Sequence, residues 1–280
     1  MSLEPGQSIR SRSNAKANRG RSANILAVLQ PIVCVLLLLS ADSALGQGRL
    51  ALATDPYAPA PTLVIGFMGG FVHTDNLRHS EAQLAQRLDE SYGDRVVVEM
   101  FENRQRAQAL ESIIDWVRRL EAARITGEAI PQPRIILFGH SWGASAVVYL
   151  ARELEREGIS VTLTIQVDSV RKHREDDSVI PANVVEAINF YQPNGILHGQ
   201  SRIKAADPAH TTILGNYRLA YEREPAACHA YPWYNRRLFK GHTAIECDPQ
   251  VWSQIETLIE SRLPLTNMPR PIQVAAQFAK

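Results

Sequence analysis

The chain has almost no excess of either charge. Its 30 Lys and Arg stand against 29 Asp and Glu, for a formal net charge of +1. Without a basic or acidic balance, nothing in the composition supports nucleic acid or another polyanion as a partner. Cysteine is scarce, with three in 280 residues, and there is no internal repeat. Long apolar runs are scarce too. The one that stands out, residues 25–39 (ILAVLQPIVCVLLLL), has 15 residues interrupted by Gln30 and Pro31, short for a bilayer-spanning helix. What remains is an ordinary globular composition, 45% hydrophobic and 21% charged, long enough for one sizeable core.

The N-terminal region differs from the rest. Residues 1–24 are polar and carry Arg10, Arg12, Lys16, Arg19 and Arg21, with Glu4 as the only acid. The apolar run follows, and then small residues through Ala44-Leu45-Gly46. This order reads as a secretory signal over 1–46, cleaved after Gly46, with an uncleaved N-terminal membrane anchor as the alternative. Either reading puts the globular part outside the cytoplasm, secreted or periplasmic. Cys34 lacks the small residues before it that a lipidation signal would show. Beyond the signal, Cys228 and Cys247 are an even pair in an exported chain, consistent with a disulfide or with two separately buried thiols.

Residues 47–61, rich in Ala and Pro, read as a linker, 62–265 as the folded domain, and 266–280 as a tail. Within the domain, strand-like and helix-like segments alternate. Strands are expected over 62–66, 95–100, 134–138, 160–167 and 184–191, and helices over 78–91, 107–123, 142–156 and 249–262. Asp248-Pro249 makes a helix start, an N-cap residue followed by proline at the first helical position. Residues 192–241 read as irregular. The alternation calls for a mostly parallel central sheet with helices on both faces, and for ligands at the carboxyl ends of its strands.

The most informative stretch is RIILFGHSWGASAVVY, residues 134–149. An apolar strand runs into Gly139-His140-Ser141-Trp142-Gly143 and then into a helix, the setting a G-x-S-x-G nucleophile turn requires. Glycines flank the serine because strand and helix backbones approach closely around it. Ser141 then lies at a helix N-terminus, where orphan N–H groups stabilise developing negative charge. A serine hydroxyl also needs a base, and the base needs an acid to set its tautomer. His242, in a loop just before the last helix, is the candidate base, with His198, His210 and His229 as competitors. His73, His79 and His173 read as surface residues. Asp168, at the end of the 160–167 strand, is the candidate acid, and Asp207 is its rival. Two backbone N–H groups should form an oxyanion hole. One is that of Trp142; the other comes from the loop Gly66-Phe67-Met68-Gly69-Gly70.

Together these residues resemble the α/β-hydrolase superfamily over roughly residues 62–263. Gly139-His140-Ser141-Trp142-Gly143 matches the family's nucleophile turn, and Val64-Ile65-Gly66-Phe67-Met68-Gly69-Gly70 looks like its strand and oxyanion loop, with Ile65 where the family usually has histidine. The resemblance implies that Phe67 supplies the second oxyanion N–H. Asp168 and His242 match the family's acid and base by position and order only. It further implies a serine hydrolase acting on a small-molecule or lipid carboxylic ester through an acyl-enzyme, with no metal or organic cofactor. A peptidase, a thioesterase and an inactive hydrolase-fold binding protein are the alternatives on the same scaffold. The short connection after Asp168 leaves little or no room for a cap domain, unless residues 192–241 cover the site. Phe67, Phe71, Trp142, Tyr191, Trp233 and Tyr234 are candidates to line an acyl pocket. Nothing in the sequence sets the oligomeric state.

Overall fold

A computed structural model describes residues 60–172 and 176–263. The expected export signal, most of the linker and the C-terminal tail lie outside the described residues. Within them, no helix is long and apolar enough to cross a membrane.

Six strands form one parallel sheet: β1 (Thr62–Met68), β2 (Val96–Glu102), β3 (Arg134–His140), β4 (Val161–Val167), β6 (Val184–Tyr191) and β8 (Thr212–Arg218). Their order is β2-β1-β3-β4-β6-β8. A second, two-stranded sheet pairs β5 (Val179–Ile180) with β7 (Lys204–Ala205). Side chains alternate across a strand, so each central strand feeds two cores. Leu63, Ile65 and Phe67 of β1, with Ile135 and Leu137 of β3, meet Ile113 of α2 (Arg106–Ile125) and Val147 and Leu150 of α3 (Trp142–Arg156). On the other face, Val64, Ile136 and Phe138 meet Leu84 and Leu88 of α1 (Ser80–Tyr92) and Trp252 and Ile255 of α6 (Pro249–Glu260). Both faces of the sheet are thereby covered, as a parallel sheet requires.

The strand order sets where a ligand can bind. From β1 the chain passes outward to β2, then returns to place β3 on the other side of β1. The crevice at this reversal opens at the carboxyl ends of β1 and β3, at Met68 and His140.

Three departures from the sequence expectation bear on the site. Strand β1 runs on to Met68, two residues past its expected end, so the turn begins at Gly69. Residues 192–241 are not all irregular: they contain β8, whose polar, half-exposed sequence TILGNYR lacks an apolar run because it is an edge strand. They also contain a 3-10 turn, Ala226–Ala230, and the short helix α4 (Trp233–Leu238). His242 is not in a loop but in the first turn of α5 (Lys240–Cys247), separated from α6 by the extended backbone of Asp248. Asp248 caps α6 by accepting from the Gln250 amide at 2.9 Å, with Pro249 at the first helical position.

Candidate functional site

Ser141 stands between β3 and α3 with φ 57° and ψ −125°, a conformation that non-glycine residues rarely hold. It persists because the backbone around it is overdetermined. The Ser141 amide donates to the Val167 carbonyl at 2.9 Å, and its own carbonyl accepts from Val170 at 3.2 Å. Gly139 and Gly143 make the turn possible. A Cβ on Gly139 would lie 2.6 Å from the Gly143 carbonyl carbon, and one on Gly143 would lie 2.3 Å from the Phe67 carbonyl oxygen. The turn is thus held between β1 and α3 by direct backbone contact.

The Ser141 hydroxyl is 2.9 Å from Nε2 of His242, whose Nδ1 is 2.6 Å from Oδ2 of Asp168. All three side chains are buried. Asp168 follows β4 directly, also at positive φ (44°). Its Oδ1 accepts the amides of Gly199 at 2.7 Å and Gln192 at 3.2 Å, and its Oδ2 accepts Nε2 of Gln192 at 2.8 Å. Burial pushes this carboxyl up, but the hydrogen bond and charge of His242, the hydrogen bond of Gln192 and the charge of His140 more than reverse it, leaving it below the usual aspartate range. Asp168 is therefore an anion aimed at the imidazole. The rival Asp207 is exposed and pairs with His210 at 2.7 Å, away from this cluster. His198 and His229 are exposed, and His173 lies outside the described residues.

A second buried charge cluster adjoins the first, and the sequence reading missed it. His140, between Gly139 and Ser141, lies against His242 with ring centroids 4.5 Å apart. Its Nδ1 is 3.6 Å from Glu81 Oε1 and 3.8 Å from Glu246 Oε2. Glu246 is also hydrogen-bonded to Nδ1 of His79, so His79 is not the surface residue expected. Burial alone would push the His140 imidazole down. The charge of Glu246 and the hydrogen bonding and charge of Glu81 overcome it and hold His140 up at about 9. His79 is likewise raised by Glu246, against its own burial. Glu246 is held below the usual glutamate range, against burial, by His140 and His79. Burial and the positive charge of His140 then lower His242, against the pull of Asp168. His79, Glu81 and Glu246 also have ligand atoms close enough together to hold a cation. His140, held up at about 9, already sets a positive charge against Glu246. His79 and Glu81 flank the start of α1, but no sequence pattern ties them to Glu246 on α5; only the fold brings them together.

A cavity of about 460 Å³ opens onto Ser141, His242 and His140. Gly69, Gly70 and Phe71 of the turn after β1 line it, with Trp142, Leu197 and Phe239. Phe71 meets the Trp142 ring edge-on at 5.4 Å. Phe67 does not line the cavity. It pairs in register with Phe101 and Gly139 inside the sheet, and its side chain is fully buried in the core. Gly69 takes the place beside the serine, where a Cβ on it would be 3.2 Å from Ser141 Cβ. Tyr191 does not line the cavity either, and Trp233 and Tyr234 are exposed on α4. Leu197, Asn235 and Phe239 show that residues 192–241 cover part of the site. Cys228 and Cys247 form a disulfide that ties the end of α5 to the 3-10 turn Ala226–Ala230.

No family model matches the chain, and no curated protein matches it. Among solved structures it is similar to the type II thioesterase BorB from the borrelidin biosynthetic cluster, at 13% identity over 74% of this chain and 95% of that one, with a TM-score of 0.36. It is similar to a cutinase-like protein from Cryptococcus sp., at 13% identity over 73% and 95% of the two chains (TM-score 0.35). RedJ with a PEG molecule bound in the active site is a third, at 14% identity over 73% and 93% (TM-score 0.36). The chain's own strand order, with helices on both faces and a strand–serine–helix turn at the point of reversal, is the α/β-hydrolase fold.

Proposed function

We propose that this protein is an exported serine hydrolase that cleaves a carboxylic ester through an acyl-enzyme. One observation carries the reading: an unbroken hydrogen-bonded line from Ser141 Oγ through His242 to Asp168, at 2.9 and 2.6 Å, beneath an open cavity. Ser141 Oγ attacks the acyl carbon while Nε2 of His242 takes its proton. Asp168 holds the neutral imidazole with its proton on Nδ1 and stabilises the imidazolium once formed, which then returns the proton from Nε2 to the leaving alkoxide. Water then repeats the sequence on the acyl-enzyme, releasing the acid and restoring Ser141.

The tetrahedral oxyanion requires two N–H donors. The Trp142 amide is in the first turn of α3 and has no acceptor within the helix. Because β1 extends to Met68, we assign the second donor to the turn Gly69–Phe71 rather than to Phe67. The disulfide supports the exported setting, since such bonds persist chiefly outside the reducing cytoplasm.

The test is fluorophosphonate labelling, together with turnover of p-nitrophenyl esters from acetate to palmitate, on the full chain and its Ser141→Ala variant. Serine-dependent labelling and turnover are expected. Labelling that survives Ser141→Ala would place the nucleophile elsewhere. Folded protein that neither labels nor turns over any ester would leave the fold as a binding scaffold.

A further inference from the structure

Exposed apolar side chains gather on the segments around the cavity mouth. Of the eleven large apolar side chains that stand exposed among the described residues, six belong to the segments bounding that mouth. Phe71 (80% exposed) follows the turn after β1, Ile196 (91%) precedes Leu197, and Trp233 (70%), Tyr234, Leu238 (59%) and Phe239 lie on or beside α4. Phe71 and Phe239 line the cavity itself, as does Asn235 of α4. Clustered exposed apolar groups of this size mark an interaction surface.

The charges around the mouth are mostly positive. Arg237 and Lys240 are exposed beside Leu238 and Phe239. On the other side of Phe71 and Trp142, a groove of about 410 Å³ is lined by Arg104, Arg171 and Lys172. Lys172 donates to Asn103 Oδ1 at 2.8 Å and lies 5.8 Å from the centroid of the Trp142 ring. The acids nearby are largely matched: Glu102 pairs with Arg104 and His73, and Glu224 pairs with Arg236. Glu222 is exposed next to Arg223.

We propose that this rim docks on an anionic lipid surface, with α4 and Phe71 entering the headgroup region and Arg237 and Lys240 meeting the lipid charge. Tryptophan and tyrosine favour the boundary between water and hydrocarbon, and cations beside apolar groups are attracted to anionic headgroups. The choice of lipid over a protein partner rests on the hydrolase reading. Whatever docks here covers the entrance to Ser141; a protein would close that entrance, whereas a lipid surface supplies substrate through it.

The docking is measured without turnover, on full-length Ser141→Ala protein, so its outcome is separate from that of the hydrolase assay. Vesicles of phosphatidylcholine with brominated phosphatidylglycerol quench a tryptophan that enters them. Trp116 and Trp252 are buried, leaving Trp233 as the exposed reporter and Trp233→Phe as the control for Trp142. Quenching that disappears in Trp233→Phe is expected. Arg237→Glu with Lys240→Glu should raise the lipid concentration for half-quenching at least ~25-fold, given roughly fivefold per cation removed. Vesicle-bound protein whose Trp233 emission is not quenched, equal quenching on neutral vesicles, or a dimer that buries the rim would each overturn the proposal.

Discussion

At the scale of single residues, His242 stands between opposite charges. Asp168 favours its protonation, while burial and the His140 imidazolium oppose it more strongly, and the net shift is downward. A lowered base remains unprotonated into mildly acidic solution, so the acid limb of kcat/KM should fall below the ordinary histidine value of 6.5. Replacing His140 with Phe removes the opposing charge and keeps a ring against His242. The acid limb should then move to higher pH; an unmoved limb would show that His140 does not act on the base. Asp168→Asn leaves room for the same contacts but allows the wrong imidazole tautomer, and should cut kcat about 10⁴-fold. If Asp207→Asn produced that loss and Asp168→Asn did not, the acid would be misassigned.

At the scale of elements, the site depends on how closely β1, β3 and α3 meet. Gly143→Ala would place a methyl group 2.3 Å from the Phe67 carbonyl oxygen and 2.8 Å from that of Met68, both backbone atoms of β1. Neither can move without disturbing the sheet. We expect a loss of about 2 kcal/mol in urea unfolding, with ester turnover falling further than stability as the turn shifts. Helix α5 poses a different problem, because it is short and carries His242. The disulfide closes a loop across a sequence separation of 19 and is worth about 3 kcal/mol. Cys228→Ser with Cys247→Ser should lower stability by that amount and reduce turnover by loosening His242. Full turnover in the double variant would mean that α5 is held by its other contacts.

At the scale of the whole molecule, the buried cluster makes stability depend on pH. His140 is raised from 6.5 to about 9, so its contribution is complete below pH 6.5 and is lost as pH rises through about 9. Glu246 is lowered from 4.5, so its contribution is present above pH 4.5 and is lost as pH falls below it. Tm should therefore decline between pH 6.5 and 9, and His140→Phe should show a flatter profile across that window. Parallel profiles for the two proteins would show that the cluster is not the source.

What the sequence determined by itself is whatever depends on neighbours along the chain. The alternation of apolar strands and amphipathic helices specified a covered parallel sheet, and G-x-S-x-G between strand and helix specified the turn at Ser141, because both are local steric and periodic patterns. The N-cap at Asp248 was legible for the same reason. Tertiary structure decided the rest. Strand β8 has no apolar period because neither of its faces is fully buried, and α5 was hidden by Gly241 in a segment that reads as a loop. The end of β1, and with it the turn that lines the cavity, depended on pairing with β2 and β3. Above all, Glu81 and Glu246 are 165 positions apart and share a histidine only because α1 and α5 meet beside Ser141. Burial gives those charges their effect, and burial is a property of the assembled core that no local segment encodes.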